Sequence, residues 1–366
     1  SCDLAFSQPA PERSEMSKRP PEARDVSCDL AFSQPAPERS EMSKIETPSR
    51  GNPPSPPPRA VIVGGRGFLG AAVRQLLAEG GWEVTTVGRS APATGASTPG
   101  RALIVDAGQP DALAAVLPRE IDLWIDLAIF SAADMGARLD AWKSHPPRRI
   151  LVAGSVAEYG LDRALPDPLT EGSERLPEDD YGRGKRDAQA LLEREASSRG
   201  LAASWAVLPQ LWGPGDPSGR VQGLIDALLA GAPIAMNRGG RNHMPDGYVG
   251  HAAAALLALA AAQTSPAQRV FVCGPEDVSP ARFVALAAGA IGRDALVTTP
   301  GDRAQPVPGG GVPPAERRPA FPGRDLRLSR ALGNRLGLLH AWSASVGVVA
   351  TARWHAAQTG RRGGEG

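Results

Sequence analysis

The stretch that most narrows the folds open to this chain is AVIVGGRGFLGAAVRQLLAEGGWEVTTVGR, residues 60–89. It reads as a short buried strand, a glycine turn, an amphipathic helix closed by Gly80 and Gly81, and a second strand, which together make a βαβ unit. The turn sets Gly64, Gly67 and Gly70 in the pattern G-x-x-G-x-x-G. Glycine lets the backbone bend tightly and approach a pyrophosphate, and the helix that follows offers free N–H groups and the positive end of its dipole. In a chain with 42 glycines the triplet alone carries little. Its setting between strand, helix and strand makes it a dinucleotide cradle, with Arg66, Phe68 and Leu69 as the turn residues that accompany it.

The end of the second strand discriminates between cofactors. An acidic residue there would hold a ribose 2′-hydroxyl, whereas a positive charge suits a 2′-phosphate. The strand ends Val87-Gly88-Arg89-Ser90 with no acid nearby, and Arg66 sits in the glycine turn. NADP(H) is therefore favoured over NAD(H), with Arg89 and Ser90 at the phosphate. Further on, RALIVDAGQPDALAAVL predicts a third strand ending at Asp106, followed by Ala107 and a helix. IDLWIDLAIFSA predicts a fourth strand running to Asp126-Leu127-Ala128, and RRILVAGS a fifth. Strands alternating with helices imply an α/β fold, a Rossmann-type doubly wound parallel sheet, with ligands gathered at the carboxyl ends of the strands.

Ser155 stands at the end of the fifth strand, and Tyr181 and Lys185 follow in YGRGK. DDYGRGKRDAQALLERE predicts a helix with Asp179 and Asp180 at its positive end, which puts Tyr181 and Lys185, at i and i+4, on one face. The chain has three tyrosines and four lysines, so such a pair is scarce here. A phenol exchanges protons poorly at neutral pH; a nearby ammonium favours phenolate, and a serine hydroxyl can hold a substrate oxygen. The group suits proton transfer during carbonyl reduction.

A chain of 366 residues accommodates one large domain or two medium ones, and its net charge of +1 gives no electrostatic reason to expect nucleic acid or a membrane as partner. Cys2, Cys28 and Cys273 show no metal-ligand spacing, so no metal is expected, and the odd count fits a reducing, cytoplasmic setting. YVGHAAAALLALAAA is too short for a membrane span and reads as a buried helix. Residues 1–18 recur identically at 27–44, and a proline-rich run follows. The expected organisation is a disordered leader over 1–58, a dinucleotide-binding domain over 59–208, and a smaller, mainly substrate-binding region over 209–366, with 248–274 returning to the dinucleotide-binding core.

With the glycine turn, Asp106, Asp126-Leu127-Ala128, SVAEYG and YGRGK in this order, the chain resembles the extended short-chain dehydrogenase/reductase superfamily, especially the NAD-dependent epimerase/dehydratase family. The resemblance spans about residues 60–355 and is closest over 60–215. It implies Ser155, Tyr181 and Lys185 as catalytic residues and Gly64, Gly67 and Gly70 at the phosphates. It implies Asp106 near the adenine and Leu127 and Ala128 along the nicotinamide ribose. AVLPQLWGPGDPSGR then places Pro209 and Gln210 near the nicotinamide end and Arg220 near substrate, and relatives commonly form homodimers. Three departures qualify the substrate. Ser155-Val156-Ala157 stands where dehydrating members carry Thr-Asp-Glu, with Glu158 one position late. Leu208 stands where many nucleotide-sugar members have arginine, and HMPDGYVGHAA replaces their Arg-Asp-Phe-Ile-like run. His251 and Cys273 are read as structural.

The expected function is NADPH-dependent reduction of a carbonyl on a small polar molecule, a keto-sugar or natural-product intermediate, with Tyr181 as proton donor. A sugar epimerase using the same three residues is the alternative. A non-catalytic NADP-sensing protein is the third reading, which the presence of both Tyr181 and Lys185 disfavours.

Overall fold

The computed structural model describes residues 56–91, 100–262, 264, 266–298, 324–338 and 343–363. The leader expected over 1–58 lies outside the described residues except for its last three, as does most of the proline- and glycine-rich run before residue 324.

Eleven strands and nine α-helices alternate through the described chain. The first half runs β1 (Arg59–Val63), α1 (Phe68–Glu79), β2 (Glu83–Gly88), β3 (Arg101–Ile104), α2 (Pro110–Val116), β4 (Leu123–Asp126), α3 (Ala132–Ala141) and β5 (Ile150–Ser155). A single 3₁₀ turn (Val156–Tyr159) leads toward α4 (Asp180–Arg199) and β6 (Ala203–Leu208). Then come α5 (Arg220–Leu229), β7 (Ile234–Ala235), β8 (Met244–Pro245), α6 (Val249–Ala261), β9 (Gln268–Phe271), β10 (Asp277–Val278), α7 (Pro280–Ala290), β11 (Val297–Thr298), α8 (Ala331–Arg335) and α9 (Ala344–Gly363).

Seven strands form one parallel sheet in the order β3-β2-β1-β4-β5-β6-β9. The order reverses between β1 and β4, and the glycine turn opens at that switch point, where a doubly wound sheet leaves a crevice beyond its strand ends. Both faces are covered, as the alternation along β1 shows. Ala60 and Ile62 enter one core with Leu69, Val73 and Leu77 of α1, while Val61 and Val63 enter the other with Leu139 of α3 and Leu192 of α4. The strand β9 pairs with β6, and α6 packs on α1, so the segment after residue 248 lies against the main sheet.

Local signals placed most boundaries. Asp179 caps α4 by accepting from the Gly182 N–H at 2.7 Å, and Ser279 caps α7 by accepting from the Arg282 N–H at 3.2 Å. The third strand ends at Ile104, two residues short of the expected Asp106. There the Asp106 carboxylate accepts from the Gly108 N–H at 2.9 Å, a local turn that competes with ladder pairing. No helix among the described residues is long and apolar enough to cross a membrane.

Candidate functional site

The glycine turn has the geometry a pyrophosphate cradle requires. Gly64 adopts φ +78°, its N–H bonds to the Val87 carbonyl, and its own carbonyl accepts from Gly67 N–H at 2.9 Å. A side chain at Gly70 would stand 2.2 Å from that same carbonyl, so α1 reaches the turn only because position 70 lacks a Cβ. The first turn of α1 has no side-chain cap and no acidic residue, which leaves its N–H groups and positive dipole end available to an anion. The turn backs onto Leu127 and Ala128, whose Cβ atoms lie 3.5 and 3.7 Å from the Cβ position of Gly64. Phe68 reaches across toward Gly213 in the loop after β6. Leu69 is buried beneath the turn in the core that α1 shares with the sheet.

The Arg66 side chain folds over the end of β2. A Cβ at Gly88 would fall 2.5 Å from Arg66 Nη2, so the guanidinium occupies the volume that a side chain at position 88 would fill. Arg66 Nη1 is buried and has no hydrogen-bond partner among the described residues. Arg89 and Ser90 are exposed just beyond it. An anionic oxygen fits this donor set, since it best satisfies an orphaned guanidinium N–H.

Behind the cradle lies a charge pair that the sequence reading did not single out. Asp126, fully buried at the end of β4, accepts from Arg138 Nε at 2.9 Å and from the Ala128 N–H at 2.9 Å. Arg138 also donates to the Ala107 carbonyl. One ion pair thus ties the loop after β3 to the loop after β4, the two segments expected to flank adenine and nicotinamide ribose. A signal was present: Met135, Arg138, Leu139 and Trp142 share a face of α3 at helical spacing, and all are buried. An arginine in an apolar stripe calls for a buried carboxylate.

Ser155, Tyr181 and Lys185 converge at the end of β5. The Ser155 hydroxyl accepts from the Ala157 N–H at 3.2 Å and stands near enough to the Tyr181 hydroxyl to lower its pKa. Lys185 is buried to 2 % exposure, and its Nζ donates to the Ala153 carbonyl at 2.6 Å. The same Nζ lies 5.2 Å from the ring centre of Phe130 and 5.7 Å from that of Tyr181. Burial lowers the Lys185 pKa from 10.5 to about 8, against the opposing charges of Glu158, Asp126 and Asp134.

Tyr181 is 41 % exposed as a residue, yet burial raises its pKa, with the neighbouring Ser155 hydroxyl pulling the other way. The sequence reading expected the ammonium to favour phenolate. Burial is the largest influence on the phenol, and Nζ is anchored on a backbone carbonyl. The phenol is therefore held protonated at neutral pH.

Glu158 is turned away from this group. Fully buried, it accepts from the Ser155 N–H at 3.0 Å, from Trp205 Nε1 at 2.8 Å and from Arg175 at 3.2 Å. It closes a capping box on the turn that positions Ser155. Gly154 admits this arrangement, since a Cβ there would stand 2.1 Å from Trp205 Nε1.

Next to Ser155 opens a cavity of about 120 Å³. Val156 and Leu161 wall it on the β5 side, and Pro209, Gln210 and Trp212 on the β6 side. Met244 and Pro245 of β8, with Arg324 and Leu326, complete it. The segment 324–330 crosses this region as a strap. Leu326 N–H bonds the His243 carbonyl, Ser329 N–H the Leu169 carbonyl, and Arg324 pairs with Asp162. Of the two expected substrate residues, Gln210 lines the cavity, whereas Arg220 opens α5 and is not among its walls. Pro209 is buried at the end of β6, beside Val156.

His251 and Cys273 lie apart from this chemistry. His251 is buried with Nδ1 2.6 Å from Asp246, and Cys273 is buried with its thiol pushed up to about 12.

The fold and the convergent strand ends define a dinucleotide-binding α/β protein of the extended short-chain dehydrogenase/reductase type. The sequence profile of the NAD dependent epimerase/dehydratase family matches residues 60–274, more than half of the chain, and the chain belongs to that family. Among curated proteins it is similar to dTDP-6-deoxy-L-talose 4-dehydrogenase (NAD(P)(+)) of Kitasatospora kifunensis, 28% identical over 202 residues. That alignment spans 50% of this chain and 62% of the relative's length. Similar solved structures include a putative epimerase from Burkholderia cenocepacia, with a TM-score of 0.67 and 20% identity over 82% of this chain and 99% of that one. The UDP-glucose 4-epimerase of Thermotoga maritima, solved with UDP-glucose, superposes with a TM-score of 0.66 and 16% identity over 82% of this chain and 99% of that one.

Proposed function

We propose that the protein reduces a carbonyl group on a small molecule, using NADPH and Tyr181 as proton donor. The observation that carries the reading is the convergence of the Ser155 hydroxyl, the Tyr181 phenol and a buried Lys185 at the end of β5. The likeness to a curated dehydrogenase that uses NAD(P)(+) supports it.

Gly64, Gly67, Gly70 and the start of α1 would hold the pyrophosphate, with Leu127 and Ala128 along the nicotinamide ribose and Asp106 and Ala107 near the adenine. Arg66, with Arg89 beside it, would take the 2′-phosphate. The bound dinucleotide supplies the hydride. Ser155 orients the substrate oxygen by hydrogen bonding, and Tyr181 delivers its proton to that oxygen as negative charge develops there. Lys185 stabilises the phenolate left behind, because an ammonium beneath the ring favours the charged form at that moment. Asp126 and Arg138 keep the two cofactor loops in register. The buried placement of Glu158, spent on Ser155 N–H, Trp205 and Arg175, argues against a sugar dehydration that would need a free acid beside Ser155.

The test is to incubate the full chain with NADPH and a panel of ketones and keto-sugars, following loss of NADPH absorbance and formation of alcohol. Stoichiometric conversion supports the reading. Interconversion of sugar stereoisomers with retained cofactor and no net consumption would replace it with epimerisation. Arg66→Ala is expected to weaken NADPH binding by roughly ten- to a hundredfold and to leave NADH binding nearly unchanged, as removal of one charge-assisted contact implies. Equal losses for both cofactors, measured by fluorescence titration, would remove Arg66 from the 2′-phosphate.

A further inference from the structure

We infer that the carbonyl compound accepted here carries an apolar substituent, the size of a branched alkyl group or a single ring, which enters the cavity beside Ser155. The inference rests on the reductase reading and names its substrate class, against the polar substrate expected from sequence.

The size of the cavity is the first argument. At about 120 Å³ it is close to an engineered cavity of roughly 150 Å³ that admits benzene, and far below the ~300–1,000 Å³ of sites that enclose large ligands. One ring fills it, and a nucleoside diphosphate would have to lie outside.

Its chemistry is the second. Val156, Leu161, Trp212, Met244 and Leu326 give apolar walls, and the polar exceptions are Gln210 and Arg324. A sugar ring placed there would bury hydroxyls faster than two polar side chains could satisfy them. Each hydroxyl left unpaired weakens binding by roughly tenfold or more. Phe130 adds apolar surface beside Tyr181: it is 48 % exposed, and its ring centre lies 6.3 Å from that of Tyr181.

The third argument is charge. A diphosphate needs cations free to receive it, and three of the arginines at the strap already face carboxylates. Arg324 pairs with Asp162, Arg238 with Asp325, and Arg327 with Asp167 while also donating to His243 Nε2. An incoming diphosphate would have to displace these acids, whereas an uncharged ketone leaves the pairs intact.

The experiment measures kcat/KM of the full chain with NADPH for cyclohexyl methyl ketone, acetophenone, acetone and a thymidine-diphosphate keto-deoxysugar. Both ring-bearing ketones are expected to exceed acetone by roughly tenfold or more, in line with the value of apolar contacts in a closed pocket, and the nucleotide sugar to be the poorest. Leu161→Trp should shift the ratio of cyclohexyl methyl ketone to acetone toward acetone by roughly tenfold. Leu161→Ala should extend acceptance to a larger ring. The inference is overturned if the nucleotide sugar is reduced faster than the ring-bearing ketones, or if neither Leu161 variant moves the preference. NADPH binding without reduction of any carbonyl overturns the reductase reading as well; reduction of the nucleotide sugar alone spares that reading and removes only the apolar substrate.

Discussion

The two halves of the site handle charge in opposite ways. Around the ends of β4 and β5 four ionic groups are sealed in: Asp126 and Glu158 are fully buried, Lys185 is 2 % and Arg138 3 % exposed. On the substrate side the side chains of Arg324 and Asp162 are 38% and 75% exposed, and those of Arg238 and Asp325 are 66% and 42% exposed. Buried charges keep nearly their full Coulomb interaction and lock the groups they touch, whereas exposed pairs are screened and replaceable. In the proposed reaction, chemistry belongs to a fixed half, built from strand ends, and substrate choice to a changeable half, built from loops and a strap.

The strongest way to break the contrast is within the fixed half. Tyr181→Phe should lower carbonyl reduction about 10²–10⁴-fold, the usual share of a general acid, while NADPH binding measured by titration stays the same. Activity retained in this variant would remove the proton donor. Arg138→Met should destabilise the fold by about 3–5 kcal/mol in denaturant unfolding, because it strands the Asp126 carboxylate without its cation. A loss below about 1 kcal/mol would mean that Asp126 reaches water or another partner.

Lys185 sharpens the contrast, since its burial serves chemistry at a cost to stability. Its folded pKa of about 8 lies below the ordinary 10.5, so the folded state binds its proton less tightly than the unfolded chain. The penalty is therefore full below pH 8 and shrinks as pH rises through 8 toward the unfolded value. Lys185→Met should raise stability by on the order of 1–3 kcal/mol at neutral pH, with the gain fading at higher pH, while activity falls about a hundredfold. In the wild type, kcat should decline about tenfold per pH unit above pH 8 as the ammonium is lost. A rate flat to pH 10 would contradict the role given to Lys185. The smallest effect belongs to the changeable half: Asp162→Ala should leave the unfolding midpoint nearly unchanged, and whatever shift appears in low salt should shrink in high salt.

The same division decided what could be read from sequence. The cradle was legible because glycine geometry, strand period and helix period agree over thirty residues, and Ser155, Tyr181 and Lys185 because a strand end and an i, i+4 spacing fix their directions. Asp126 was visible as a strand end, but its partner Arg138 lies twelve residues on in a different element, and only the apolar stripe around it hinted at burial. The phenol's raised pKa was not legible, since spacing gives the face that Lys185 shares with Tyr181 and not the carbonyl that anchors its Nζ. The strap was hidden for another reason. Its bonds join residues 324–329 to His243, Asp162 and Leu169 across long separations, and such pairings leave no periodic trace.

The most direct test of the central claim follows deuterium from NADPH labelled at its transferring carbon into product, with the wild type and Tyr181→Phe side by side. The account predicts one deuterium at the carbinol carbon for each NADPH consumed by the wild type, and almost no product from the variant. Stereoisomers that interconvert without loss of NADPH, or labelled alcohol formed at the wild-type rate by Tyr181→Phe, would contradict it.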